Sequence, residues 1–401
     1  MASSAPPSAP WAAPTSDPGF LTALAVYAFH EFFAGGGMVR AGLGGGWTCR
    51  FANDIDAGKA ATYRDNWGAN GLHVGDVRAL KPDDLPEAAD LAWASFPCQD
   101  LSLAGRGRGL GGERSGTFHA FWSLMTALGD LGRGPRIVAI ENVCGTLTSR
   151  GGQDFVAICR TFAEAGYRFG AMVIDAALFV PQSRPRLFII GVRDDVGVPS
   201  SLMASEPVAA FLSPALSRSI AELPAEVARR AFWWALPVPT RRDTTLADMI
   251  DDTAWHTPAQ TQTLLELMSP LHRARIAQAQ DLGGRHVGSV FRRTRADGRG
   301  GRVQRAEVRF DGLAGCLRTP SGGSSRQSLL MINDGVIQSR LISPRETARL
   351  MGLDDSYRLP RGTHRAYHLT GDGVVVPVVR HLARHIFEPI LDQSLSSREA
   401  A

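Results

Sequence analysis

The chain has no apolar run approaching the ~20 residues that a membrane-spanning helix requires. Its opening stretch, Met1 to Phe20, has neither a basic start nor an apolar core. No membrane partner is expected, and residues 1–23, rich in Ala, Pro and Ser, read as a flexible tail, with a second short tail over 394–401. Cysteine is sparse: Cys49, Cys98, Cys144, Cys159 and Cys316 are an odd number without a Cys-x-x-Cys pair. That argues against a disulfide framework and a structural zinc, so a reducing cytoplasm and no metal are expected. Lysine is nearly missing, since Lys59 and Lys81 are the only two among 43 basic residues. Positive charge is therefore guanidinium charge, as a GC-rich coding sequence also produces.

What is present suits a soluble globular protein of two or three domains: 401 residues, 44% hydrophobic and 20% charged. The net charge of +4 is modest but uneven, because twelve arginines face four acidic residues between Arg273 and Arg326. A solvated basic face would explain this. Turn glycines interleaved with the arginines (Gly283-Gly284, Gly298, Gly300-Gly301) favour loops that approach a phosphate backbone.

The first half alternates apolar strands with helical stretches. Strands are expected at Leu24 to Phe33, Thr48 to Asn53, Leu91 to Ser95, Arg136 to Ile140, Tyr167 to Ile174 and Leu187 to Val192. Helices are expected near Val39 and Leu43, and over Ala57 to Trp67, Phe118 to Leu131 and Phe155 to Ala165. This alternation predicts an α/β fold, a mostly parallel Rossmann-like sheet covered on both faces. After Val198, seven prolines in about sixty residues mark a boundary to a smaller, irregular domain. In it, Asp311-Gly312 after Glu307 to Phe310 reads as a hairpin-type turn, and a Ser-Gly-Gly-Ser-Ser loop follows at 321–325. The expected boundaries are 24–200 for the first domain, 201–367 for the second, and 368–393 for a closing apolar helix that returns to the first sheet.

Candidate chemistry gathers at the carboxyl ends of the strands, where open α/β sheets bind ligands. Glu31 and the run Phe33-Ala34-Gly35-Gly36-Gly37 form the first βα turn, with glycines that admit a ligand to the backbone. The spacing is not that of a dinucleotide fingerprint. Asp54, with Ile55, ends the second strand about twenty residues on, where a ribose would be held, and Asp76 offers a carboxylate at the third strand end. Three such ends suit an adenosine-type ligand. Phe96-Pro97-Cys98-Gln99 places a cysteine at the end of an apolar strand, either as a nucleophile or as one more small apolar residue. Glu141-Asn142-Val143 brings a carboxylate to the same edge, and Arg184 and Arg186 stand at the start of a later strand as surface charges or an anion clamp.

Together, and in this order, these pieces resemble the DNA (cytosine-5)-methyltransferases of prokaryotic type, over Glu31 to about Leu391. The resemblance implies an S-adenosylmethionine-dependent methyltransferase sheet with a target-recognition domain. It also implies a cofactor site of Phe33, Ala34, Gly35, Gly37, Asp54, Ile55, Asp76, Pro97, Asp372 and Val374. Cys98, Glu141, Arg184 and Arg186 become catalytic residues, and Gln99, Asn142 and Arg340 substrate-binding ones. Arg340 opens the segment Arg340-Leu341-Ile342-Ser343-Pro344-Arg345-Glu346, which resembles the organiser of the target-recognition domain, and Gly371-Asp372-Gly373-Val374 resembles the last motif. Three positions depart from the usual pattern: Met38 follows Gly37 where a glycine is common, Asp54 replaces glutamate, and Asp372 replaces asparagine.

The implied chemistry needs these residue types. Carbon 5 of cytosine is a poor nucleophile until Cys98, as thiolate, adds to carbon 6. A thiol of pKa ~8.5 needs nearby positive charge to ionise at neutral pH. Glu141 would hydrogen-bond ring nitrogen 3 and the exocyclic amine. The target base must leave the duplex, so double-stranded DNA is the expected partner, bound by a monomer. A tRNA cytosine methyltransferase is the alternative within the enzyme class. Asp100 after Gln99, where proline is usual in those enzymes, and the long region 199–339 count against it. A catalytically silent DNA-binding relative, possessing the fold alone, is opposed by the intact Cys98, Glu141, Arg184 and Arg186. A nicotinamide oxidoreductase is opposed by the glycine spacing.

Overall fold

A computed structural model describes residues 27–85, 87–97, 117–296, 301–319 and 326–399, with side chains to residue 394. Seven strands form the principal sheet: β1 (Tyr27–Phe32), β2 (Trp47–Asp54), β3 (Leu72–Val74), β4 (Leu91–Ala94), β5 (Ile137–Val143), β6 (Tyr167–Asp175) and β7 (Pro185–Arg193). Their spatial order is β3-β2-β1-β4-β5-β7-β6. β1 to β5 run parallel, and β7 lies antiparallel between β5 and β6. The order reverses between β1 and β4, which opens a crevice at their carboxyl ends.

Local sequence explains the elements. β4 and most of β5 are buried throughout, as expected of strands covered on both faces. Alternate residues serve opposite cores. Phe29, Trp93, Ala139 and Ile190 face one, while Phe32, Ala92, Ala94, Ile140 and Ile189 face the other. Helix α1 (Met38–Leu43) follows β1. Helix α2 (Ala57–Trp67) is capped by Asp56, whose carboxylate accepts from the amides of Gly58 and Lys59, and it stops at Gly68, φ 81°. Helices α3 (Thr117–Asp130) and α4 (Gln153–Glu164) cover the second face, where Cys159 is an inert buried residue.

The closing segment returns to the first core, as Val376–Leu382 and then Ala383–Phe387 and Glu388–Glu399. A Cβ on Gly42 would stand 2.5 Å from Val379, so glycine permits this helix to lie directly on α1. Arg380 donates to the Leu43 carbonyl at 2.6 Å, and Trp47 Nε1 donates to Glu388 at 3.1 Å.

A two-residue ribbon, β8 (Met203–Ala204) with β9 (Trp233–Trp234), precedes the second sheet. That sheet is antiparallel, in the order β11-β10-β12-β13, from β10 (Arg285–Ala296), β11 (Arg302–Arg309), β12 (Ser328–Asn333) and β13 (Val336–Leu341). Its own core holds Met268, Ile276, Val290, Val308, Leu330 and Ile332. The flanking segments pack elsewhere: Phe211, Leu236, Leu246, Ile342, Leu350 and Tyr357 join the first sheet's core. The independent second core is thus narrower than 201–367, and helix Thr363–Asp372 runs across the expected 367/368 boundary. Asp311-Gly312 makes a turn with Gly312 at φ 73°, but no hairpin. β11 pairs back to β10, and beyond the turn Ala314 bridges to Gln182. The 321–325 loop lies outside the described residues. Among the described residues, no helix is long and apolar enough to cross a membrane, and no His/Cys/Asp/Glu group could hold a metal ion.

Candidate active site

The crevice at the β1/β4 reversal is a cavity of about 690 Å³. Its β1 wall is a strained loop, with Phe33 at φ 59°, Gly35 at φ 57° and Gly37 at φ 78°. Only glycine adopts such angles freely, so the non-glycine Phe33 is the exception. A Cβ on Gly35 would meet nothing within 4 Å, which leaves the backbone open to a ligand. Behind it, the Gly36 carbonyl accepts from Trp67 Nε1 at 3.0 Å and the Tyr357 hydroxyl at 2.8 Å.

Asp54 closes this loop. Its carboxylate accepts from the amides of Gly35 and Asp56, both at 2.8 Å. Burial raises its pKa against the pull of Lys59 and those amides. Asn53 ties the neighbouring strand end, donating to the carbonyls of His73 and Gly75 at 3.2 and 2.9 Å. Asp76 pairs with Arg78 at 2.6 Å, and hydrogen bonds from Arg78 hold its pKa low. Ile55 also lines the cavity with its side chain 68% exposed, an apolar surface at the mouth of a polar site.

The opposite end is built from β4, β5 and β7. Pro97 lines the cavity, while Cys98 and Gln99 lie outside the described residues. Asn142 fixes the segment leading to them: its side-chain amide donates to the Phe96 carbonyl at 3.2 Å, and its oxygen accepts from the Val143 amide at 2.8 Å. Glu141 is buried, with Oε1 3.2 Å from Arg186 Nε. Arg184, also buried, has another task. It donates to the carbonyls of Leu317, Gly371 and Gly373 at 2.7 to 2.8 Å, and so joins three distant segments. Burial lowers its pKa. Cys316 sits against both guanidiniums, and although burial opposes ionisation, Arg184 and Arg186 leave its pKa below the ordinary value.

Gly371, Asp372, Gly373 and Val374 form the third wall. A Cβ on Gly373 would stand 2.2 Å from Met38 Sδ, so glycine is needed for this segment to meet the β1 loop. Arg340 does not line the cavity. Only 1% exposed, it pairs with Glu346 at 2.5 and 2.8 Å and stacks 4.7 Å over Trp255, so the structure does not bring it to the other expected site residues.

Two residues were missed as site members. Glu31 lines the cavity fully buried at the amino end of α1, and burial pushes its pKa up to about 8 against the pull of the Arg40 charge and the Val39 and Arg40 amides. Lys59 bridges to Asp372 at 2.6 Å. Its signal was its rarity in a chain that otherwise uses arginine. The open glycine backbone, the buried Glu31, the exposed Ile55 and the acidic strand ends fit a ligand with an adenosine part and a cationic part.

Comparison with known proteins agrees. The family model for C-5 cytosine-specific DNA methylase matches residues 27–388. Type II methyltransferase M.HhaI of Haemophilus parahaemolyticus is 25% identical over 89% of this chain and 93% of its own length. Type II methyltransferase M.Bsp6I of a Bacillus species is 25% identical over 90% and 98%. Among solved structures, the Entamoeba histolytica methyltransferase EhMeth shares the fold with a TM-score of 0.60, at 14% identity over 91% of this chain and 98% of that one. The family is defined by DNA, so the tRNA reading is not favoured. The chain belongs to the C-5 cytosine-specific DNA methylases, and it is an S-adenosylmethionine-dependent DNA cytosine-5 methyltransferase.

Proposed function

We propose that Cys98 is the nucleophile and that Glu141, Arg186, Asn142 and Arg184 prepare its target, a cytosine flipped out of a specific duplex sequence. The observation that carries this reading is a single cavity lined both by the cofactor motifs and by Pro97, Glu141 and Arg186.

Roles follow from the geometry. Phe33, Ala34, Gly35, Gly37, Asp54, Ile55, Asp76, Pro97, Asp372 and Val374 hold the cofactor, with Glu31 and Lys59 beside them. When bound, S-adenosylmethionine supplies a methyl group on a sulfonium. Asn142 positions the Phe96-Pro97 segment so that Cys98 approaches carbon 6 of the base. Glu141, beside Arg186, hydrogen-bonds ring nitrogen 3 and the exocyclic amine and so stabilises the charge that forms as the sulfur attacks. With the cofactor bound, carbon 5 so activated would take the methyl group and leave S-adenosylhomocysteine, and loss of the carbon 5 proton with elimination of Cys98 would release the methylated base. Arg184 positions the site by fastening the 317 and 371–373 segments to the start of β7.

The exposed arginines of β10 and β11, Arg292, Arg293, Arg295, Arg302 and Arg305, supply the positive face for duplex DNA. A site-specific modification role beside a restriction enzyme fits the type II names of the relatives. The enzyme is proposed to work as a cytoplasmic monomer.

The test is covalent trapping. Duplex DNA carrying 5-fluorocytosine lacks the carbon 5 proton that elimination requires. Wild type with cofactor should form a complex that survives denaturing electrophoresis, and Cys98→Ser should not. An equal yield from both would contradict the assignment.

A further inference from the structure

Asp372 places a carboxylate on the third wall of the cavity, and the fold answers it with a cation. Lys59 Nζ donates to Asp372 Oδ2 at 2.6 Å across 313 residues of sequence, and both residues line the cofactor cavity. Neither end is loose. Lys59 stands in the first turn of α2, where its amide donates to Asp56 at 3.0 Å. Asp372 lies between Gly371 and Gly373, whose carbonyls are held by Arg184 at 2.8 Å. Burial would lower the Lys59 pKa, but the charges of Asp372, Asp54 and Asp56 outweigh it and raise it, so the lysine stays cationic. Two other cavity carboxylates have their own cations, Arg78 on Asp76 and Arg186 on Glu141, while Glu31, Asp54 and Asp56 line the same cavity and are left unchanged by substitution at Lys59 or Asp372.

We propose that Lys59 and Asp372 act as a matched charge pair that sets how strongly this cavity prefers the sulfonium cofactor over its thioether product. The two ligands share their adenosine and amino-acid ends and differ by one methyl group and one positive charge. Any net charge on the cavity wall therefore separates their affinities, with a sign that does not depend on the pose. Asp372 alone would favour the sulfonium, and Lys59 alone would oppose it. Paired at 2.6 Å they largely cancel, so product is released without an added electrostatic bias toward cofactor. The inference rests on the reading of the cavity as the cofactor site.

Calorimetric titration of the full chain with S-adenosylmethionine and S-adenosylhomocysteine tests it. Lys59→Gln should raise the ratio of product Kd to cofactor Kd by about three- to tenfold, the scale of one partly screened charge. Asp372→Asn should lower it by a similar factor, and the double variant should return to within about twofold of wild type. A ratio that stays within twofold in both single variants, even if both affinities fall together, would overturn the pair's role. Wild type that binds neither ligand would overturn the cavity reading beneath it. Should Lys59→Gln melt below the assay temperature, Lys59→Met with Asp372→Asn gives the same two-signed comparison.

Discussion

Arg186 and Glu141 meet across adjacent antiparallel strands, Nε to Oε1 at 3.2 Å, at the end of the cavity nearest Pro97. On the proposed assignment the pair would serve base recognition apart from cofactor recognition, because neither residue belongs to the wall formed by Gly35, Asp54 and Asp76. Glu141→Gln should therefore lower the single-turnover methylation rate by about 10²–10⁴-fold while the cofactor Kd changes less than threefold. Rapid-quench kinetics beside calorimetry separates the two quantities.

Arg184 should behave differently although it lies two residues away. It satisfies the buried carbonyls of Leu317 and Gly371 and the half-buried one of Gly373. Arg184→Ala leaves them unpaired, at a cost of about 3–5 kcal/mol in stability. Lysine cannot span all three, so Arg184→Lys should recover only part of this in urea unfolding, whereas Arg186→Lys should cost little stability and mainly rate.

Gly36 is fixed by contact. A Cβ there would stand 2.2 Å from the Tyr357 hydroxyl and 2.9 Å from Leu369 Cδ1. Gly36→Ala should destabilise the chain by about 2–3 kcal/mol, the cost of overpacking a well-filled site. Tyr357→Phe, which removes the clashing oxygen, should return part of the loss when the two are combined. Thermal midpoints of the four proteins form the cycle.

Glu31 makes stability depend on pH. Its folded pKa of about 8 lies above the ordinary value of 4.5, so the folded chain binds the extra proton between those limits. The stabilising contribution is complete below about pH 4.5 and is lost as pH rises through about 8. Ligand-free Glu31→Gln should lose this dependence and exceed wild type at pH 8.5 by on the order of 3–5 kcal/mol. Urea melts from pH 5 to 9 measure the slope.

The sheet was legible because a fully buried parallel strand and an amphipathic helix leave different periods. α2 matches the expected Ala57 to Trp67, bounded by Asp56 and Gly68. Cavity residues on strand ends were legible for the same reason, since topology brings Asp54, Asp76 and Glu141 to one edge. Long-range pairing was not. Arg340 reads from its motif as a substrate-binding residue, yet Glu346, which also completes the Ser343 capping box, holds it in the interior. Asp311-Gly312 carries a hairpin signature, but the chain beyond it finds a better partner in Gln182. Lys59 and Asp372, 313 residues apart, are brought together only by the tertiary fold.

The central claim is that this cavity delivers a methyl group to a cytosine attacked by Cys98. Single-base mapping of 5-methylcytosine, after incubating unmethylated duplex DNA of varied sequence with S-adenosylmethionine, tests it most directly. Wild type should mark cytosine within one recurring sequence, and Cys98→Ala should mark none. A wild type that marks no cytosine, or a Cys98→Ala variant that marks the same positions to the same extent, would contradict the account.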